Sequence, residues 1–186
     1  MFTSQSGNTA GGDVVGGNQN KTVNNFYVPP SPLTRLYERF RISSEEQPYV
    51  AQISEQLKHY CSLDTDGDIR QLDEKLTAAK REDLIKKAER LKQSATMLIM
   101  RWQTSGVAQD ILTFILGHIY SAFLLHVTPA IEAEATRQEV DALINEKVIR
   151  PTAEMLGDND LMLTSADLLA LLFYLGGNCH VRWDKC

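Results

Sequence analysis

The stretch Ile111-Leu112-Thr113-Phe114-Ile115-Leu116-Gly117-His118-Ile119-Tyr120-Ser121-Ala122-Phe123-Leu124-Leu125-His126-Val127-Thr128-Pro129-Ala130-Ile131 contains no Asp, Glu, Lys or Arg. Its length would span a bilayer. However, His118, His126, Thr113, Ser121, Thr128 and Pro129 interrupt it, and no Lys/Arg asymmetry marks a cytoplasmic side, which argues against a membrane span. A helix that is apolar all round and yet not in lipid has to be covered by other helices. Residues 107–127 are therefore expected at the centre of an all-α bundle, with His118 and His126 as satisfied core residues.

On both sides of this stretch the apolar spacing is helical, and the punctuation predicts a bundle of about six helices. Leu84, Ala88, Leu91, Ala95, Leu98 and Trp102 alternate by four and three and form a packing seam, and Lys86, Lys87, Arg90 and Lys92, with Glu82, Asp83 and Glu89 interspersed, read as a solvated face and not as a phosphate-binding stripe. Further upstream, Pro32 to Arg41 carries Leu33, Leu36, Tyr37 and Phe40 on one face. Gln47 to Cys61 carries Val50, Ile53, Leu57 and Tyr60, and Ile69 to Ala79 is a third helix. Downstream, Thr136-Arg137-Gln138-Glu139 is a capping box opening a helix to about Leu156, which Pro151 should kink. Thr164 and Ser165 are cap candidates for a last helix, Ala166 to Leu175, stopped by Gly176-Gly177. The tail Asn178-Cys179-His180-Val181-Arg182-Trp183 follows.

Residues 1–30 have a different composition. Gly7-Asn8, Gly12-Asp13 and Gly17-Asn18 recur at a spacing of five, with Thr9, Val14 and Gln19 at equivalent positions. Such pentads read as a short β-solenoid-like segment or as a disordered tail, because three of them bury too little to order themselves. Thr22-Val23-Asn24-Asn25-Phe26-Tyr27-Val28 is strand-like, and Pro29-Pro30-Ser31-Pro32 imposes an extended linker. The domain boundary is therefore set between a 1–30 tail and a 31–186 helical domain.

Composition narrows the function classes. A net charge of −5 over 186 residues disfavours direct nucleic-acid binding, which needs clustered cations. The three cysteines, Cys61, Cys179 and Cys186, form no disulfide framework, and Met1-Phe2-Thr3-Ser4-Gln5 lacks a signal-peptide pattern, so a cytoplasmic location is expected. Enzymatic motifs are missing as well. Gly12 to Gly17 has the gap of a phosphate-binding loop, but Asn18 and Gln19 stand where Lys and Ser or Thr are required. Asp64-Thr65-Asp66-Gly67-Asp68 fails the calcium-loop spacing, since Ile69 and Lys75 occupy the positions of the Gly and the bidentate Glu, and it reads as a capping turn. His59, Cys61, Cys179 and His180 could meet, but their spacing matches structural zinc poorly. No metal, no cofactor and no catalytic residue is expected.

In its wording, the chain resembles the small C-terminal-type domains of bacterial ABC-three-component systems. The resemblance is carried by Ala10 to Asn18, Asn24-Asn25-Phe26-Tyr27-Val28-Pro29-Pro30, Arg81-Glu82-Asp83-Leu84-Ile85, Ile149-Arg150-Pro151 and, most specifically, Gly177-Asn178-Cys179-His180-Val181-Arg182-Trp183. It implies antiviral defence and a non-catalytic adaptor that docks on an SMC-like ABC ATPase and a middle component. No effector domain precedes the helices in this sequence. Asn178, His180, Arg182 and Trp183 are the candidate partner-binding residues, with Trp183 as a cap of the domain's own core standing as an equal alternative. A second function is self-association through Gly7, Asn8, Gly12, Asp13, Gly17 and Asn18 as a solenoid or amyloid-like signalling module. A divergent enzyme using Cys179, His180 and Arg182 is a third.

Overall fold

The computed structural model describes residues 31–43, 53–63 and 69–185, which form seven helices and no strand. The pentads, the strand-like run, the proline linker, Val50 and the Asp64 to Asp68 turn lie outside the described residues.

Helix α1 (Pro32–Ser43) begins where Ser31 Oγ accepts the Thr34 N–H at 3.1 Å, with Pro32 in the first turn where its missing N–H costs nothing. Helix α2 (Glu55–Cys61) starts later than the periodicity predicts. Ser54 caps it by accepting the Leu57 N–H, leaving Ile53 outside and 36% exposed. The apolar spacing places Ser54 in the interior, but its hydroxyl takes the Leu57 N–H and starts the helix there. Helix α3 (Leu72–Ala78) is opened by a capping box of Gln71 and Glu74.

Helix α4 (Ile85–Arg101), preceded by a 3₁₀ turn at Glu82–Leu84, buries Ala88, Ala95 and Ile99, with Leu91, Leu98 and Trp102 packed against the core. The predicted seam holds from Ala88 to Trp102, but Leu84 falls in the 3₁₀ turn and lines a surface groove, while Ile99, outside the predicted series, is buried. Small residues at Ala88 and Ala95 let α4 lie close to the last helix, its most extensive partner.

Helix α5 (Gly106–Glu132) is the central element. It is long and apolar enough to cross a membrane, but its Ile111, Leu112, Ile115, Leu116 and Ile119 are fully buried beneath neighbouring helices. Each such side chain contributes roughly 1.5–3 kcal/mol of burial. Helix α6 spans 137–156 and begins at the Thr136–Glu139 capping box, where Thr136 N–H donates to Glu139 Oε2 at 2.8 Å.

Pro129 and Pro151 both lie inside these two helices, and each follows a π turn, Phe123–Val127 and Ile144–Ile149. A proline inside an α-helix has no N–H to donate, and its ring collides with the carbonyl four residues back. The π turn widens the helix and redirects those carbonyls, so that Thr128 N–H bonds Phe123 O and Arg150 N–H bonds Asn145 O. The predicted disturbance at Pro151 is therefore present as a local widening, and the two π turns pack against each other. The π turn of α5 also points His126 outward, contrary to the core position expected of it.

Helix α7 (Ser165–Gly177) is capped by Thr164 with Asp167 and buried along nearly its whole length. Gly176 and Gly177 do not stop it. They are its last two residues, and the left-handed turn falls on Cys179 at φ 68°. Their role is close approach. A Cβ on Gly176 would lie 2.6 Å from the Trp183 ring, and one on Gly177 would lie 2.5 Å from Lys92 Cε. The carbonyls freed at this end are met by cations: Lys75 Nζ, on a residue only 1% exposed, donates to Gly176 O at 3.0 Å, and Lys92 Nζ approaches Gly177 O at 3.5 Å.

Candidate docking groove

The C-terminal tail folds back over α7 and is held along its length. Asn178 Nδ2 donates to Tyr60 O at 3.0 Å, fastening the tail to α2. His180 sits among aromatic rings, 5.4 Å from His59, 5.7 Å from Tyr60 and 6.2 Å from Tyr120 between centroids. Arg182 faces Glu132 at 3.7 Å, Arg70 Nη2 pairs with Asp184 at 2.7 Å, and Lys185 pairs with Glu134 at 3.0 Å. Trp183 turns inward at 6% exposure, stacked on Phe173 and edge-on to Phe123.

The structure thus brings together the four tail residues singled out from the sequence, but as a latch closing the domain on itself. Asn178 and Trp183 are buried, while His180 and Arg182 are half-buried. The cysteines near this latch are occupied separately. Burial pushes the Cys61 thiol up, partly offset by a hydrogen bond with Tyr174, and Cys179 Sγ lies 3.8 Å from Arg70 O. Among the described residues, no three His, Cys, Asp or Glu side chains converge on a point that could hold a metal ion.

Trp183 also forms the floor of a groove of about 440 Å³ between the start of α4, the π turn of α6 and the start of α7. Leu84, Ile144, Ile149, Leu169, Leu172 and Phe173 make its walls predominantly apolar. Arg81, Asp141, Lys87, Asn145 and Ser165 supply its polar points. Arg81 is almost fully buried and donates from Nη1 to Asp141 Oδ1, so its charge is neutralised at the groove's edge. Asp83, just beyond, is held below the usual carboxylate range by the Arg137 guanidinium, which grips both its oxygens at 2.7 and 2.8 Å.

Sequence reasoning did not single out this groove. Its walls are ordinary apolar positions on three helices, and nothing in their spacing distinguishes a residue facing a groove from one facing the core. Three of the words carrying the resemblance meet there, however: Arg81 and Leu84 from the first, Ile149 from the second and Trp183 from the third.

Helices packed about one apolar helix, with a shallow apolar groove on one side, define a small all-α domain. The chain belongs to a named family of such domains: residues 71–183 match the model of C-terminal domain 9 of the ABC-three component systems. The matched segment runs from the cap of α3 through Trp183 and contains every residue lining the groove, while α1 and α2 lie outside it. No curated protein and no solved structure matches the chain. As a domain of a multi-component system, it works among protein partners.

Proposed function

We propose that this protein is the non-catalytic adaptor of an ABC-three-component defence system. In this reading it works in the cytoplasm and docks through the α4–α6–α7 groove on the SMC-like ABC ATPase and the middle component. The observation that carries the reading is the coincidence of the groove with the family-matched segment and with the three sequence words that meet in it. Apolar walls with few, mostly self-neutralised polar groups suit the packing of a partner's side chains. They offer no nucleophile with a base beside it.

The tail residues Asn178, His180 and Arg182 contribute by holding Trp183 in place as the groove's floor. A partner surface on this domain therefore includes the latch without requiring Trp183 to leave the core.

The test is co-expression of the full chain with the ATPase and middle component encoded beside it. Co-elution of the three on size exclusion, lost when Leu169→Arg blocks the groove mouth, supports the proposal. Co-elution that Leu169→Arg leaves intact contradicts the docking site, and separate elution of the wild-type chain contradicts the adaptor role.

A further inference from the structure

The electrostatics of the groove specify what kind of segment it receives. Lys87 lines it and, among the described residues, forms no ion pair, whereas Arg81 and Asp141 in the same groove neutralise each other. Lys86 and Arg90 on the same stretch of α4 are exposed and likewise have no opposite charge within ion-pair distance among the described residues. The 3₁₀ turn leading into α4 carries Glu82 and Asp83, and Glu89 follows Lys86 and Lys87, so the positive excess of this stretch is small and Lys87 is the cation in it that lines the groove. Asp83, in the preceding turn, is taken by Arg137. The start of α7, where Ser165 and Ala166 form part of the wall, adds no free positive end, because the Asp167 carboxylate in its first turn accepts from Thr164. Among the described residues, Lys87 is thus the charge in the groove lining that is left without an opposite partner.

We propose that the groove takes an amphipathic segment of a partner protein with apolar side chains on one face and an Asp or Glu placed against Lys87 Nζ. This rests on the docking reading above and adds the chemistry of the occupant. The apolar side chains lie between Ile149 of α6 and Leu169 of α7, and the carboxylate lies against Lys87 at the mouth, where its desolvation is partial. A nucleic-acid backbone is the poorer fit, because it asks for several convergent cations and gains nothing from apolar walls.

The experiment measures the affinity of the full-length chain for the purified ATPase and middle component at low and high salt. The variants are Lys87→Glu, Lys87→Arg, Leu169→Arg and the double substitution Phe26→Ala/Tyr27→Ala. The expected result is at least a tenfold loss for Lys87→Glu with a flattened salt dependence, near-wild-type binding for Lys87→Arg, and a larger loss for Leu169→Arg. All variants should keep the wild-type melting temperature. If Leu169→Arg abolishes binding while Lys87→Glu leaves it unchanged, the acidic occupant is wrong and the docking groove stands. If neither changes binding, the docking reading falls with it. Methyl NMR signals of Leu169 and Leu172 that shift in the isolated Phe26→Ala/Tyr27→Ala chain would show this chain's own segment filling the groove and would overturn the proposal.

Discussion

The ring of Trp183 occupies the space a side chain on Gly176 would need, since a Cβ there would fall 2.6 Å from ring atom Cζ3 and 2.7 Å from Cη2. Phe173 stacks on the indole and Phe123 meets it edge-on, so the ring is held on two further sides. Gly176→Ala should therefore destabilise the domain by about 1–3 kcal/mol, as overpacking does in a filled core. Urea unfolding checks it. A midpoint equal to that of the wild type would mean that the tail is not latched as described.

Arg81 is buried and its acidic partner, Asp141, is half-exposed. Asp141→Ala leaves the guanidinium in place without that carboxylate, and because water reaches Asp141 the loss should be a discounted roughly 1–2 kcal/mol, below the figure for a fully buried pair. The charge-keeping Asp141→Glu should recover part of it. Equal stability of the alanine variant and wild type would show that the pair contributes nothing.

His118 donates from Nδ1 to Thr152 Oγ1 at 2.9 Å, a direction fixed because the Thr152 hydroxyl proton is already given to Val148 O at 2.6 Å. Burial lowers its pKa below the ordinary 6.5. The folded state thus binds fewer protons than the unfolded one over this range. The stability from neutral His118 is fully present above 6.5 and is lost as pH falls through the lower folded value. A melting-temperature profile from pH 8 to 5 should decline below 6.5 in wild type and less steeply in His118→Gln. Identical slopes would remove His118 as the titrating group.

The described helices bury their apolar faces on one another, so the boundary set at residue 31 predicts that removing residues 1–30 shifts the thermal midpoint by less than about 2 °C, the low end of what 1 kcal/mol does to a domain of this size. Circular dichroism should remain helix-dominated. A large fall in the midpoint would place part of that segment within the cooperative unit.

The sequence shows most clearly those parts of the fold that depend on local chemistry. The Thr136–Glu139 box, the Thr164 cap and the α4 seam from Ala88 to Trp102 are fixed by residues three or four apart and lie where their spacing puts them, with Ile99 buried in addition. The start of α2 was hidden because Ser54 reads equally well as a helix-interior residue or as a cap. The role of Gly176 and Gly177 was hidden for a different reason, since a glycine needed for close approach by Trp183 and Lys92 looks the same as one needed for a left-handed turn. The groove was the least legible feature, because Leu84, Ile149 and Leu169 become neighbours only through helix packing and the two π turns.

Amide hydrogen exchange of the full-length chain, alone and bound to the ATPase and middle component, tests the docking claim most directly. Binding should slow exchange in three separated stretches, 84–88, 144–149 and 165–169, with little change along 106–119, which is already buried in the free domain. Protection confined to other surfaces, such as the outward side of the α5 π turn around Leu124 and Leu125, would contradict the groove as the docking site.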